Sequence, residues 1–80
     1  MPRIEVRLYA TLRQYQPALG IGEALPTEIP ADTTVRDLLL RLRVPADQVK
    51  TVFSNYRAVP LDYVLQDGDR VSIFPPVAGG

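Results

Sequence analysis

The sequence predicts an α+β roll, a mixed sheet of four to five strands packed against one main helix. Three observations carry this. Strand-like alternation opens the chain at Ile4, Val6 and Leu8 and returns near its end at Val71 and Ile73. Only one stretch, around Val35, Leu38, Leu39 and Leu42, has a strong helical apolar face. The elements run β, short α, β, α, β, short β, β, with no internal repeat, and eighty residues make one domain.

In the first strand Ile4, Val6 and Leu8 alternate with Arg3, Glu5 and Arg7. A period of two puts the apolar set on the core face and leaves Tyr9 on the outer one. Residues 11–19 read as a short helix with Thr11 as N-cap, Leu12 and Tyr15 three apart, and Pro17 at its end. Gly20 and Gly22 mark a loop. Residues 25–29 alternate through Leu25, Thr27 and Ile29 between Pro26 and Pro30. Proline lacks the N–H that a central strand needs, so this is an edge strand.

Residues 31–42 carry the main helix. Asp32, Thr33 and Thr34 are N-cap candidates, and Thr34 with Asp37 forms a capping-box pattern. Val35, Leu38, Leu39 and Leu42 fall at i, i+3, i+4 and i+7 on one face. Arg41 and Arg43 complement the negative end of the helix, and Pro45 is expected to stop it. The arginines of this helix read better as a solvated face than as a docking cluster.

Residues 50–55 read as a third strand that ends at Asn55, a residue tolerant of left-handed backbone. A very short strand through Arg57, Ala58 and Val59 follows. Leu61 and Leu65 pin an irregular loop to the core, and Asp67-Gly68-Asp69 turns the chain. In the final strand Val71 and Ile73 face in, while Arg70, Ser72 and Phe74 face out. The most strongly patterned strands are the first and the last, so they are placed centrally and side by side. That arrangement is a β-grasp, or ubiquitin-like, roll over residues 1–74. A ferredoxin-like sheet would need a second strong helix, for which residues 11–19 are a poor candidate.

Composition narrows the function. Acids and bases number nine each, which counts against nucleic acid and against a polybasic membrane anchor as partners. The apolar fraction of 46% argues against disorder. The chain has no Cys and no His. No disulfide can form, which fits a reducing cytoplasm, and the commonest metal ligands are missing, so no metal site is expected. Nucleophile and base pairs built on His or Cys cannot exist, and Ser54 and Ser72 have no His to activate them. No apolar signal segment and no membrane-spanning run is seen. Chemistry by side chains of this chain is therefore not expected.

What remains is the end, Pro75-Pro76-Val77-Ala78-Gly79-Gly80. Two prolines fix φ near −65° and favour an extended path. Two glycines lack a Cβ and fit a narrow slot. Six such residues reach about 20 Å. The reading is a flexible tail, residues 75–80, that presents the α-carboxylate of Gly80 to another protein. The plain alternative is a frayed terminus.

Several segments together resemble the MoaD/ThiS family of ubiquitin-like sulfur carriers. They are Val6-Arg7-Leu8-Tyr9-Ala10-Thr11-Leu12-Arg13, Thr34-Val35-Arg36-Asp37-Leu38-Leu39, Asn55, and Leu65-Gln66-Asp67-Gly68-Asp69-Arg70-Val71 running into Phe74 and the Gly79-Gly80 end. The double proline is most similar to the small subunit of molybdopterin synthase. Arg70, where an acid is common, and Tyr56, where a small residue is common, depart from the pattern.

The resemblance implies a carrier that is not itself an enzyme and binds no cofactor. A ubiquitin-activating-type adenylyltransferase would use ATP and magnesium to adenylate Gly80. A persulfide donor would then convert it to a thiocarboxylate, and the large subunit of molybdopterin synthase would receive the sulfur for molybdenum-cofactor biosynthesis. Gly80 is the reacting residue, Gly79 keeps the channel approach thin, and Val77 and Ala78 make apolar contacts. Pro75 and Pro76 limit the entropy lost on ordering. Phe74 is expected as an interface anchor, with Tyr9 and Phe53 as companions on the open sheet face, although for Phe53 itself a core position is the stronger expectation. Thiamine thiazole, cysteine or tungstopterin synthesis are alternative clients, and a ubiquitin-like protein modifier is the alternative of another class.

Overall fold

Five strands form one sheet in the order β2-β1-β5-β3-β4. In the computed structural model, which describes residues 1–16 and 23–76, these are β1 (Arg3–Leu8), β2 (Leu25–Glu28), β3 (Thr51–Ser54), β4 (Arg57–Val59) and β5 (Arg70–Phe74). The one α-helix among the described residues, α1 (Val35–Leu42), lies between β2 and β3 in the chain. β1 and β5 are parallel neighbours at the centre, with Val6 beside Val71 and Leu8 beside Ile73. The other three pairings are antiparallel. This is the β-grasp arrangement expected from the two alternating strands, and β2, with Pro26, takes the edge.

The core follows the alternation. Ile4, Val6, Leu8, Val71 and Ile73 on the sheet pack with Val35, Leu38, Leu39 and Leu42 on α1, and all are buried. Leu65 is buried and Leu61 packs against the same cluster, so the loop after β4 is pinned as expected. That loop also completes the helix. The N–H groups of Val35 and Arg36 donate to the carbonyls of Tyr63 and Leu61 at 3.0 and 2.9 Å. These are first-turn donors with no partner inside the helix.

Two elements differ in their bounds from the sequence reading. The segment after β1 is a 3₁₀ helix, Ala10–Tyr15, not an α-helix over residues 11–19. It starts with Ala10 at φ 54° and is preceded by Tyr9, so Thr11 is not a cap. Only Leu12 is buried in it, and one anchor gives no apolar stripe to hold an α-helix. The rest of that expected helix lies outside the described residues.

The main helix starts later than residue 31. Asp32 has φ 66°, and Thr33 donates its hydroxyl to the Pro30 carbonyl at 2.6 Å, which makes a turn. Thr34 is the N-cap, with Asp37 N–H donating to Thr34 Oγ1 at 3.1 Å and Thr34 N–H donating to Asp37 Oδ2 at 3.2 Å. The helix ends at Leu42 as expected, but it is not Pro45 that stops it. Arg43 takes the left-handed conformation, φ 60°, and the Val44 N–H closes on the Leu39 carbonyl at 2.9 Å. A left-handed residue stops α1 here, where glycine is the usual choice.

Candidate functional site: the root of the C-terminal tail

The sheet register brings three aromatic side chains together where the chain leaves β5. Leu8 pairs with Ile73, so the following residues, Tyr9 and Phe74, lie side by side on the open face. Their rings stack with centroids 4.5 Å apart and planes 7° from parallel. Phe53 is the register partner of Ser72, one diagonal step from Phe74. It meets the Phe74 ring edge-on, with centroids 5.6 Å apart and an angle of 88°. Each such contact contributes about 0.5–1.5 kcal/mol beyond buried area. All three rings are half-buried, so an apolar surface is still presented outward.

The backbone at this point is held from both sides. The Tyr9 N–H donates to the Ile73 carbonyl at 3.2 Å, and the Lys50 N–H donates to the Phe74 carbonyl at 2.9 Å. Pro75 and Pro76 have no N–H to continue the ladder, so pairing stops at Phe74. Pro75 is half-buried and Pro76 is exposed. Val77, Ala78, Gly79 and Gly80 lie outside the described residues. Of the residues singled out in the sequence, Tyr9, Phe53, Phe74 and Pro75 are therefore gathered at one end of β5.

Phe53 overturns the core expectation. Its neighbours Val52 and Ser54 face inward and are buried, which sends Phe53 to the open face. A four-residue strand with a buried serine gives no clear alternation, so the phase was not readable locally. The Ser54 hydroxyl has no hydrogen-bond partner among the described residues.

Asp69 is a residue that sequence reasoning took for a turn alone. It is buried, and its carboxylate accepts from Asn55 Nδ2 at 3.0 Å, the Tyr63 hydroxyl at 3.2 Å and the Gln66 N–H at 2.9 Å. Asn55 in turn accepts from the Arg70 N–H at 3.0 Å. This network ties the β3–β4 hairpin to the start of β5, at the opposite end of the sheet from Phe74. An open cleft of about 400 Å³, lined by Arg3, Glu5, Pro26, Asp67 and Arg70, lies at that far end too. Among the described residues no group of three His, Cys, Asp or Glu is placed to hold a metal, and no helix is long and apolar enough to cross a membrane.

Three packed aromatic rings lie beside Pro75 and Pro76, which have no N–H to extend the backbone ladder. Comparison with known proteins places the architecture. The ThiS family model matches residues 6–80. The solution structure of the HVO 2177 protein of Haloferax volcanii is similar at 29% identity and TM-score 0.77, over 99% of this chain and 87% of that one. A putative molybdopterin converting factor subunit 1 of Pyrococcus furiosus is 26% identical, with TM-score 0.74, over 96% of this chain and 100% of that one. Small archaeal modifier protein 1 of H. volcanii is 25% identical, with TM-score 0.74 and the same coverage. With nearly the full sequence matched and the β-grasp fold in place, this chain belongs to the ThiS family, the ubiquitin-like sulfur carriers and modifiers.

Proposed function

We propose that this chain is a sulfur carrier whose Gly80 carboxylate is activated and converted to a thiocarboxylate by partner proteins. The observation that carries the reading is the exit of a central strand, through the Tyr9–Phe74–Phe53 plate, straight into Pro75-Pro76-Val77-Ala78-Gly79-Gly80. The plate docks the body on a partner, and the segment beyond it is thin enough to enter a channel.

A carboxylate is a poor acyl donor because it lacks a good leaving group. In the proposed cycle a Gly80 oxygen attacks the α-phosphorus of ATP, held with magnesium by a ubiquitin-activating-type adenylyltransferase, and pyrophosphate leaves. The terminal sulfur of a persulfide donor then bonds to the acyl carbon as the bond to AMP breaks. A second thiol cleaves the S–S bond and leaves the thiocarboxylate on Gly80. The ATP and acceptor sites belong to the partners, so this chain acts as a non-catalytic subunit. The acceptor we favour is the large subunit of molybdopterin synthase, where the sulfur enters the dithiolene that holds molybdenum. The double proline before Val77 and the similarity to a molybdopterin converting factor subunit 1 support that client.

The similarity to small archaeal modifier protein 1 favours a second reading, in which the same activated Gly80 is joined to lysines of other proteins. One experiment tests the shared premise. A variant extended by one residue beyond Gly80 is expected to fold normally and to lose sulfur transfer with the adenylating partner, ATP and a persulfide source. Undiminished transfer by the extended chain contradicts the proposal.

A further inference from the structure

The sheet has two edges, β2 and β4, and they are not alike. The Glu5 N–H donates to the Asp69 carbonyl, away from β2. Its register partner Pro26 therefore sits where a strand turns its backbone groups outward, and proline has no N–H to offer there. Pro26 blunts the β2 edge. The β4 edge is open. The Asn55 N–H donates to the Arg70 carbonyl, and hydrogen-bonded pairs alternate along a strand, so Phe53 also turns its N–H and C=O toward β5. Ala58, the register partner of Phe53 on the other side, then points both backbone groups away from β3. The tight Asn55-Tyr56 turn, with φ of 53° and 69°, gives the same phase, because Ser54 and Arg57 close such a hairpin as a bonded pair. Ala58 is exposed, and its N–H and C=O have no partner among the described residues.

Side chains flank these free groups on both faces of the sheet. Ala58 lies beside Phe53 on the open face, continuous with the stacked rings of Tyr9 and Phe74. Arg57 and Val59 belong to the other face, where they line a second cleft, of about 300 Å³, with Ser54 and Tyr63. Arg57 is exposed and makes no ion pair among the described residues.

We infer that β4 is a docking edge for an extended segment of a protein partner, which pairs antiparallel with it and brings an acidic side chain to Arg57. The partner residue opposite Ala58 exchanges both backbone hydrogen bonds with it. Its side chain falls on the open face beside Phe53, where an apolar group continues the aromatic surface. The residues before and after it turn to the cleft face. The preceding one meets Val59 and is apolar, and the following one meets Arg57, an unpaired cation that selects an acid. The segment therefore reads apolar, apolar, acidic. Contact with the aromatic plate is apolar and has no direction of its own. A paired strand has register and direction, so it fixes the rotation of the body on its partner that the plate alone leaves free. Pairing at β4 does not require Gly80 to be charged, and its test is separate from that of the tail.

The test titrates the full, isotope-labelled chain with the blocked pentapeptide Thr-Val-Val-Glu-Thr and follows the backbone amides by NMR. The Ala58 amide proton is expected to move downfield and saturate, and its hydrogen exchange to slow. The same peptide with Lys in place of Glu is expected to bind about threefold more weakly, and Arg57→Glu to reverse that preference. Ala58→Pro gives β4 the blunting that Pro26 gives β2, and is expected to leave the β1 and β5 amides in place and to abolish binding. Should Ala58→Pro fail to fold, the reversal in Arg57→Glu decides. Absence of a saturating shift, a response confined to β2 or to the aromatic plate, or equal binding of the two peptides overturns the inference. So does pairing of two copies of the chain through β4 in place of the peptide.

Discussion

Tyr9 lies flat against Phe74, the last residue of β5, with ring centroids 4.5 Å apart. The contact joins the end of β1 to the point where the chain leaves the sheet. The contact makes Phe74 hold the end of the fold, and in our proposal the same ring presents an apolar surface to a partner. Phe74→Ala is expected to cost about 2–3 kcal/mol of stability, read by urea denaturation. Tyr9→Ala removes one ring contact, for about 1 kcal/mol. Both variants are expected to bind the adenylating partner at least about tenfold more weakly under conditions where they remain folded, as a central aromatic anchor would. Unchanged binding by folded Phe74→Ala would place the docking surface elsewhere.

Thr34 and Asp37 cap α1 reciprocally, far from the tail in function if not in energy. Thr34→Ala is expected to cost about 1 kcal/mol in a denaturation midpoint and to leave partner binding unchanged. The pair therefore serves as a control that separates loss of stability from loss of docking.

Much of this architecture was legible in the sequence. The alternation at Ile4, Val6 and Leu8 and at Val71 and Ile73 showed which faces are buried, because a strand's two-residue period survives in any context. Thr34 and Asp37 announced the start of α1 through local hydrogen-bonding chemistry. The end of α1 at Leu42 was legible but its cause was not, since Pro45 was the visible breaker while Arg43 makes the turn in a conformation that arginine rarely takes. Phe53 was hidden by the inward-facing Ser54, a polar residue where the pattern calls for an apolar one. The carboxylate of Asp69 could not be foreseen, since its partner Asn55 is fourteen residues away and the two meet only once β3 and β5 pair.

Asp69 offers a sharp test of that unforeseen network. Asp69→Ala strips the acceptor from Asn55 Nδ2, the Tyr63 hydroxyl and the Gln66 N–H. A loss of about 2–4 kcal/mol is expected, measured by chemical denaturation. A change below about 1 kcal/mol would mean that those donors find other partners at little cost.

Two positions should respond in the opposite direction. Arg43 and Tyr56 hold φ of 60° and 69°, in the left-handed region. Arg43→Gly and Tyr56→Gly relieve a steric cost of about 1 kcal/mol each, offset in part by the entropy of glycine in the unfolded chain. A net gain of about 0.5 kcal/mol is expected at each. Ser54→Ala removes a buried hydroxyl that has no partner among the described residues and is expected to be neutral or stabilising. Thermal midpoints of the three variants check these signs.

The central proposal is that Gly80 is an acyl group that other proteins charge with sulfur. Intact mass spectrometry of the chain purified from its own cells tests this most directly, with and without a thiol-alkylating reagent. The account predicts a species heavier by about 16 Da whose added mass is alkylated and maps to Gly80, which separates it from oxidation of Met1. Only unmodified carboxylate at Gly80, under growth conditions that demand the product of the proposed sulfur transfer, would contradict it.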